Sequence, residues 1–244
     1  MKKSSWKMKF GLGLIILSAI IYIIHYMTFK DAHHIFVFLL EDIAFIPIEV
    51  LIVSLILHRI LEEREKQHML EKLNMLIGVF FNEAGTKLLK TLVMSDSRPD
   101  YICSFFRDIQ DWNDSDFKNK SKLLNEEFQY DIDIDKVDIG KFANLLRSKR
   151  EFLLGLLQNP SLLEHETFTE LLTAVFHLED ELHHHTNYDD LTKEDYEHLK
   201  GDIERVYPLL VREWIVYIKY IKNNYPYLFS LAMRYNPLLE KCNM

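Results

Sequence analysis

Long apolar runs occupy the first quarter of the chain, and shorter amphipathic segments fill the rest. The first run, from Phe10 to Phe29, contains no formally charged residue. Its twenty residues, at the rise of an α-helix, cover the roughly 30 Å hydrocarbon core of a bilayer. A second apolar run extends from Ile35 to Leu57. We therefore predict a two-helix transmembrane hairpin over residues 10–60, with spans at about 10–29 and 35–57.

Basic residues give the predicted hairpin an orientation. Lysines precede the first span and Arg59 and Arg64 follow the second, so the positive-inside rule places both sides in the cytoplasm. A secretory signal peptide is the alternative, but bulky residues from His25 to Met27 stand where a small-x-small cleavage site is required. We expect an integral protein of the plasma (inner) membrane with both termini cytoplasmic and a basic N-terminus at residues 1–9.

The second span continues into a charged helical segment. No Gly or Pro interrupts residues 50–77, and Met69, Leu73, Leu76 and Phe80 follow a heptad-like spacing. We predict a helical stalk over residues 61–94, in which a short coiled coil would support a homo-oligomer.

Beyond residue 95, amphipathic segments alternate with turn signals, which predicts an acidic cytoplasmic helical domain over residues 95–244. Asp138 is expected to be an N-cap, and Thr192 with Asp195 a capping box. The predicted fold class is all-α, with the two-helix transmembrane hairpin followed by a helical bundle. We expect helices at 101–112, 116–130, 138–157, 161–185, 192–223 and from 226.

An aromatic stripe marks the long helix that follows Thr192. We interpret the stripe as core packing. The alternative is that this region rests on anionic headgroups, because Lys219, Lys222 and the sequence YPYLF lie beside it. The stripe consists of Tyr207, Leu210, Trp214, Tyr217 and Ile221.

The composition favours helices, and the net charge argues against nucleic acid as a partner. Only seven glycines and six prolines are present, too few for the turns of a many-stranded sheet. The chain has six basic and four acidic residues up to Arg59, so its net charge of −8 leaves −10 for the rest. We expect no nucleic-acid binding from so acidic a domain. Cys103 and Cys242 lie outside any CxxC or Cys-His cluster, which indicates neither a disulfide framework nor a zinc knuckle and fits a reduced, cytosolic setting.

Three carboxylates interrupt the second apolar run: Glu41, Asp42 and Glu49. A charge deep in a bilayer costs about 2.5–3.5 kcal/mol on insertion scales, so such groups usually face protein or water. Two spans cannot enclose them, which predicts a homo-oligomer with a cation path or a hydrated core. The alternative is a shallow helix near the outer headgroups, with Glu49 protonated or paired.

One weak metal-site pattern lies near the end of the helix predicted at 161–185. Glu181 and His184 form an E-x-x-H pair, and His177 lies one turn before Glu181. Such pairs bind iron when they face one another across a helical bundle. The alternative is a solvated, histidine-rich helix end. Apart from this candidate site for Zn, Fe or Mn, we expect no cofactor.

No motif for nucleophilic catalysis or phosphate binding occurs in the sequence, so no catalytic residue is assigned. We expect a non-enzymatic protein, anchored in membrane lipid, whose acidic cytoplasmic domain is a partner-binding or scaffolding module. The first alternative is a homo-oligomeric cation channel or transporter subunit lined by the second helix. The second alternative is a metal-dependent, membrane-associated enzyme.

Overall fold

The computed structural model describes residues 3–162, 165–185, 188 and 192–243. The chain is all-helical, as predicted, and divides into two compact units, Met1–Lys66 and Gln67–Met244. Within the described residues, extended pairing is confined to one antiparallel bridge between Asp96 and Ile132.

Two helices form the first unit. Helix α1 runs from Lys3 to Phe29, and helix α2 begins at Ala32 and continues to Phe80, in the second unit. Within the described residues, one segment, Met8–Phe29, meets the length and hydropathy of a membrane span, with a mean hydropathy of 2.1 and no buried residue. The second span of the hairpin stays a prediction, although the apolar side chains of α2 between Phe36 and Leu57 are also exposed.

The later part of α2 joins the core of the second unit. Leu73, Ile77 and Phe80 are buried, so the heptad-like stripe of the predicted stalk packs within its own chain. A single π-helical turn, Phe81–Gly85, follows, and helix α3 runs from Thr86 to Ser95. Gly85 is required there because a Cβ at this position would lie 2.6 Å from the Phe80 ring.

Short helices with side-chain caps come next. Asn113 forms a capping box at the start of α5, and the predicted N-cap Asp138 accepts a hydrogen bond of 2.9 Å from the Lys141 amide. The helix predicted at 138–157 is interrupted at Lys149, whose ammonium lies 2.8 Å from Glu83. The helices are α4 (Pro99–Phe106), α5 (Asp114–Glu126), α6 (Ile139–Ser148) and α7 (Arg150–Leu157).

Two long helices and a short one complete the second unit. The segment predicted at 161–185 forms a 3-10 turn, Pro160–Leu162, and α8; residues 163 and 164 lie outside the described part. The predicted capping box of Thr192 and Asp195 is confirmed at the start of α9. A 3-10 segment, Pro237–Asn243, is the last described element. The helices are α8 (Glu166–His184), α9 (Lys193–Asn224) and α10 (Pro226–Arg234).

The aromatic stripe of α9 packs as predicted. Four of its members are buried in the core, and Tyr217 is half-buried against it. The neighbouring lysines bond within the domain: the Lys222 ammonium donates to the carbonyls of Gln110 and Trp112, both at 2.7 Å, and Lys219 lies 3.1 Å from Asp114. These contacts weaken the headgroup interpretation.

The prediction that the two cysteines do not pair is wrong. Cys103 in α4 and Cys242 in the C-terminal 3-10 segment form a disulfide, with their Cα atoms 5.7 Å apart. The two cysteines are 139 residues apart in the sequence, and only the packing of the chain end against α4 brings them together. No local pattern could therefore indicate the pair. The reduced, cytosolic setting loses its support, since disulfides are typical of oxidising compartments and of intracellular proteins from hyperthermophiles.

Candidate functional site: an aromatic cleft

An open cleft of about 770 Å³ lies within the second unit. One wall is the part of α2 from Glu71 to Val79, the opposite wall is α10, and α9 with the π-helical turn forms the floor. A π-helical turn within a longer helix frequently marks a functional site. Here the turn supplies both an apolar and a polar part of the lining.

The floor of the cleft is a packed aromatic cluster. The Phe81 ring lies 5.1 Å from the Trp214 ring and 5.5 Å from the Tyr217 ring, centroid to centroid. Phe81 and Trp214 are buried, whereas Tyr217 is half-buried and faces the opening. Gly78 permits this arrangement, because a Cβ there would lie 3.2 Å from the Tyr217 ring. The floor is therefore apolar, well packed and close to the backbone of α2.

The walls expose aliphatic side chains to solvent. Met75 and Val79 project from α2, and Leu228 and Leu231 from α10; all four are exposed. Helix α10 contains no buried residue and meets the core only through the half-buried Phe229, Ala232 and Met233. Exposed apolar surface that converges on a concave site is typical of a binding site.

Neutral polar groups surround the apolar centre. Asn82 and Thr86 come from the π-helical turn and the start of α3, while Asn74 lies on the α2 wall and Asn224 at the C-terminal end of α9. The two charged residues in the described lining, Glu71 and Lys72, have opposite signs.

Two of the tyrosines that line the cleft, Tyr217 and Tyr220, stay protonated at neutral pH. Burial, assisted by a hydrogen bond with Tyr225 and the charge of Glu71, raises the pKa of Tyr220 to about 12. Burial also raises the pKa of Tyr217. Their hydroxyl groups can therefore donate hydrogen bonds without carrying charge.

The predicted ion-path residues lie outside this cleft. Glu41, Asp42 and Glu49 belong to α2 in the first compact unit, and each is exposed in the single chain. Whether copies of α2 enclose them stays a prediction.

The predicted metal residues form separate pairs. The His177 ring lies 3.0 Å from Asp202 on α9, and the His184 ring contacts the backbone carbonyl of Asp180. Glu181 has His185 as its ionic neighbour, at 3.9 Å. Within the described residues, no three His, Cys, Asp or Glu side chains lie together in a group able to hold a metal.

Buried carboxyl groups escaped the sequence analysis. Glu179 pairs with Arg150, whose other nitrogen lies 3.2 Å from Asp180. Glu213 is fully buried, and neither carboxyl oxygen has a hydrogen-bond partner. Burial is the main influence on the pKa of Glu213 and raises it.

The cleft itself had a signal in the sequence. Tyr217 and Trp214 were interpreted as a core stripe, but the neighbouring helix α10 contains no fully buried residue. An amphipathic helix directly after an aromatic stripe is the pattern that could have indicated an open site.

Comparison with known proteins supports the division into two units. A family model described as "Uncharacterized protein MJ1433, C-terminal helical domain" matches residues 69–234, and "MJ1433, N-terminal helical domain" matches residues 2–61. The chain is similar to uncharacterized protein MJ1433 of Methanocaldococcus jannaschii, with 48% identity over 228 residues that cover 93% of this chain and 91% of the relative. No solved structure matches the chain.

Proposed function

The chain belongs to the family of uncharacterized protein MJ1433, and we propose that it is a membrane-anchored, non-enzymatic binding protein. Its helical domain takes an uncharged, largely apolar small molecule in the aromatic cleft. The observation that carries this proposal is the set of exposed aliphatic walls around an aromatic floor. The sequence predicted partner binding by the acidic domain as a whole, and this proposal assigns the binding to one concave site in that domain.

The size of the cleft supports a small molecule. Ligand pockets usually enclose about 300–1,000 Å³ and combine apolar walls with a few polar groups, and this cleft has a volume of about 770 Å³. Tyrosine hydroxyls and the side chains of Asn82 and Thr86 supply hydrogen bonds at its rim.

The charges of the lining support an uncharged ligand. Glu71 and Lys72 are adjacent in the sequence and oppositely charged. Glu71 repels an anion that Lys72 attracts, and Lys72 repels a cation that Glu71 attracts, so the lining favours neither charge. A formal charge would also lose its hydration against the apolar floor without a buried counter-ion. A neutral molecule incurs neither cost.

Membrane anchoring is the second part of the proposal. Apolar side chains of α1 and of the first half of α2 are exposed along both helices, and lipid would cover them. We keep the predicted two-span hairpin with both termini in the cytoplasm, because lysines precede α1 and Arg59 and Arg64 follow the second apolar run.

Energy transfer to a dye tests the ligand proposal. The full chain, in lipid nanodiscs and with Trp6 and Trp112 changed to phenylalanine, keeps Trp214 as its one tryptophan beneath the cleft. The probe is N-phenylnaphthylamine, an uncharged apolar dye that absorbs where tryptophan emits. We expect saturable transfer from Trp214, in addition to the linear contribution of dye dissolved in the lipid.

A matched pair of variants locates the binding. Val79 is 42% exposed on the cleft wall, whereas Val216 is 38% exposed on α9 outside the lining. Val79→Arg is expected to weaken dye binding roughly tenfold or more, because it introduces a charge into the apolar site, and Val216→Arg to leave it unchanged. Equal effects of the two variants, or transfer without saturation, overturn the proposal. A dimer that Val79→Arg dissociates, together with no dye binding, would assign the cleft to a second copy and overturn it as well.

A homo-oligomeric cation channel is the second candidate function. The observation that favours it is the set of exposed carboxylates on an otherwise apolar helix: Glu41, Asp42 and Glu49. Cation flux into liposomes that falls in Glu49→Gln and Asp42→Asn, carried by an oligomer in detergent, supports the channel. A monomer, or flux indifferent to both changes, eliminates it.

A further inference from the structure

The 3-10 segment Pro237–Asn243, here called the C-terminal strap, follows α10 after Tyr235 and Asn236. Helix α10 is one wall of the cleft and has no buried residue of its own. A nine-residue helix with only half-buried contacts is marginal by itself. Its position therefore depends on what holds its two ends.

The strap attaches the C-terminal end of α10 to the core. Leu238 is buried, the Glu240 carboxylate lies 2.6 Å from the Lys90 ammonium, and Lys241 donates to the Asp96 carbonyl at 2.8 Å. The disulfide of Cys242 with Cys103 is the covalent part of this attachment.

Asn236 connects the strap with the floor of the cleft. This buried residue accepts a hydrogen bond from the Trp214 indole nitrogen at 3.3 Å and another from the Leu238 amide at 3.1 Å. Trp214 in turn packs against Phe81 and Tyr217 of the cleft floor. A displacement of the strap therefore affects both a wall and the floor of the cleft.

The two sulfur-bearing residues differ in exposure. Cys103 is 8% exposed, whereas Cys242 lies at the surface. An external thiolate therefore reaches the Cys242 sulfur first, forms a mixed disulfide with it and releases the Cys103 thiolate, which takes up a proton. The second thiol of a dithiol reductant then attacks the mixed disulfide and releases Cys242. Two electrons and two protons pass to the protein, and the reductant becomes a disulfide.

We infer that the Cys103–Cys242 disulfide is a redox latch, which in its oxidised form holds α10 as a wall of the cleft and on reduction by a dithiol releases it. Exposed disulfides are the labile and regulatory ones. The consequence for ligand affinity rests on the proposed function; the movement of α10 does not.

Hydrogen exchange on the full chain in nanodiscs, before and after dithiothreitol, tests the latch. Reduction is expected to increase exchange in α10 and the strap roughly tenfold or more, as for a locally opening segment, and to leave α8 unchanged. Cys242→Ser is expected to show the fast exchange already and to be insensitive to dithiothreitol. Affinity for N-phenylnaphthylamine is expected to fall about threefold or more on reduction, a modest coupling between two sites.

Each further result decides one of the two proposals. Unchanged exchange in α10, an equal increase in α8, or two free thiols in the protein purified under air overturns the latch. Faster exchange in α10 without dye binding in either redox state supports the latch and overturns the proposed function. Dye binding with unchanged exchange supports the proposed function and overturns the latch.

Discussion

In the first compact unit, apolar side chains such as Ile20, Phe38 and Leu51 lie exposed along α1 and α2, whereas in the second unit residues of the same types are buried in one core. The second unit buries apolar surface against itself, which is the main favourable contribution to folding in water. The first unit leaves its apolar surface exposed, and the proposed function assigns lipid as the medium that covers it.

The cleft is a third case, inside the second unit. Its aliphatic walls are exposed like the side chains of the first unit, but its floor is part of the core. The meaning of an exposed apolar side chain therefore depends on what surrounds it. Apolar side chains that are exposed along a whole helix are typical of a surface covered by an apolar medium. Apolar side chains that are exposed around a concave, packed floor are typical of a ligand site.

Removing one phenyl group in each unit gives the largest expected contrast. Phe168 is fully buried against Phe80, with ring centroids 5.5 Å apart, and Phe168→Ala is expected to cost about 3–5 kcal/mol of domain stability. Phe38→Ala, in the exposed part of α2, is expected to change it by less than about 0.5 kcal/mol. Chemical denaturation followed by tryptophan fluorescence measures both. Similar losses in the two variants would break the distinction between the units.

Loss of the disulfide sharpens the comparison at an intermediate size. Cys242→Ser removes a cross-link over a separation of 139 residues, all within the second unit, and should lower its stability by about 2–4 kcal/mol. Dithiothreitol should lower the stability of the wild-type protein to that of the variant, and should leave the stability of the variant unchanged. A wild-type protein whose denaturation midpoint is indifferent to dithiothreitol would show that the bond does not form.

Glu213 gives the smallest expected effect, and one that depends on pH. Burial raises its pKa above 4.5, so the folded chain retains a proton that the unfolded chain releases. The contribution of Glu213 to stability is therefore greatest below pH 4.5 and falls as the pH rises toward the folded-state pKa of this carboxyl. Glu213→Gln should match the stability of the wild type in acid and exceed it at pH about 8, because the amide does not have to be ionised in the core.

The control for Glu213 lies on the same helix. Glu204 is exposed, with Lys200 at 3.9 Å, and Glu204→Gln should change stability by less than about 0.5 kcal/mol at any pH. Thermal unfolding across the pH range measures both variants. A Glu213→Gln protein that is less stable than wild type at pH about 8 would mean that the buried carboxylate has a partner.

Local signals in the sequence predicted the elements whose causes are local. The capping box of Thr192 and Asp195 and the N-cap Asp138 are as expected, because each depends on residues within one turn. The interruption at Lys149 was missed, and the ion pair of this residue with Glu83 joins positions too far apart in the sequence for a local pattern to show.

The site depended on contacts between distant segments, which sequence periodicity does not contain. The stripe with Trp214 and Tyr217 was correctly interpreted as packing, but its partner Phe81 comes from a π-helical turn that no local pattern marked. Cys103 and Cys242 likewise meet only after the chain end packs on α4.

Quenching of single tryptophans by lipids with brominated acyl chains tests the comparison most directly. One full-length protein keeps only Trp6, which is 69% exposed beside the first apolar run, and another keeps only Trp214, which is 2% exposed in the domain core. In nanodiscs, the account predicts strong quenching of Trp6 and none of Trp214. Unquenched Trp6, or equal quenching of both, would contradict a lipid-covered first unit and a self-covered second one.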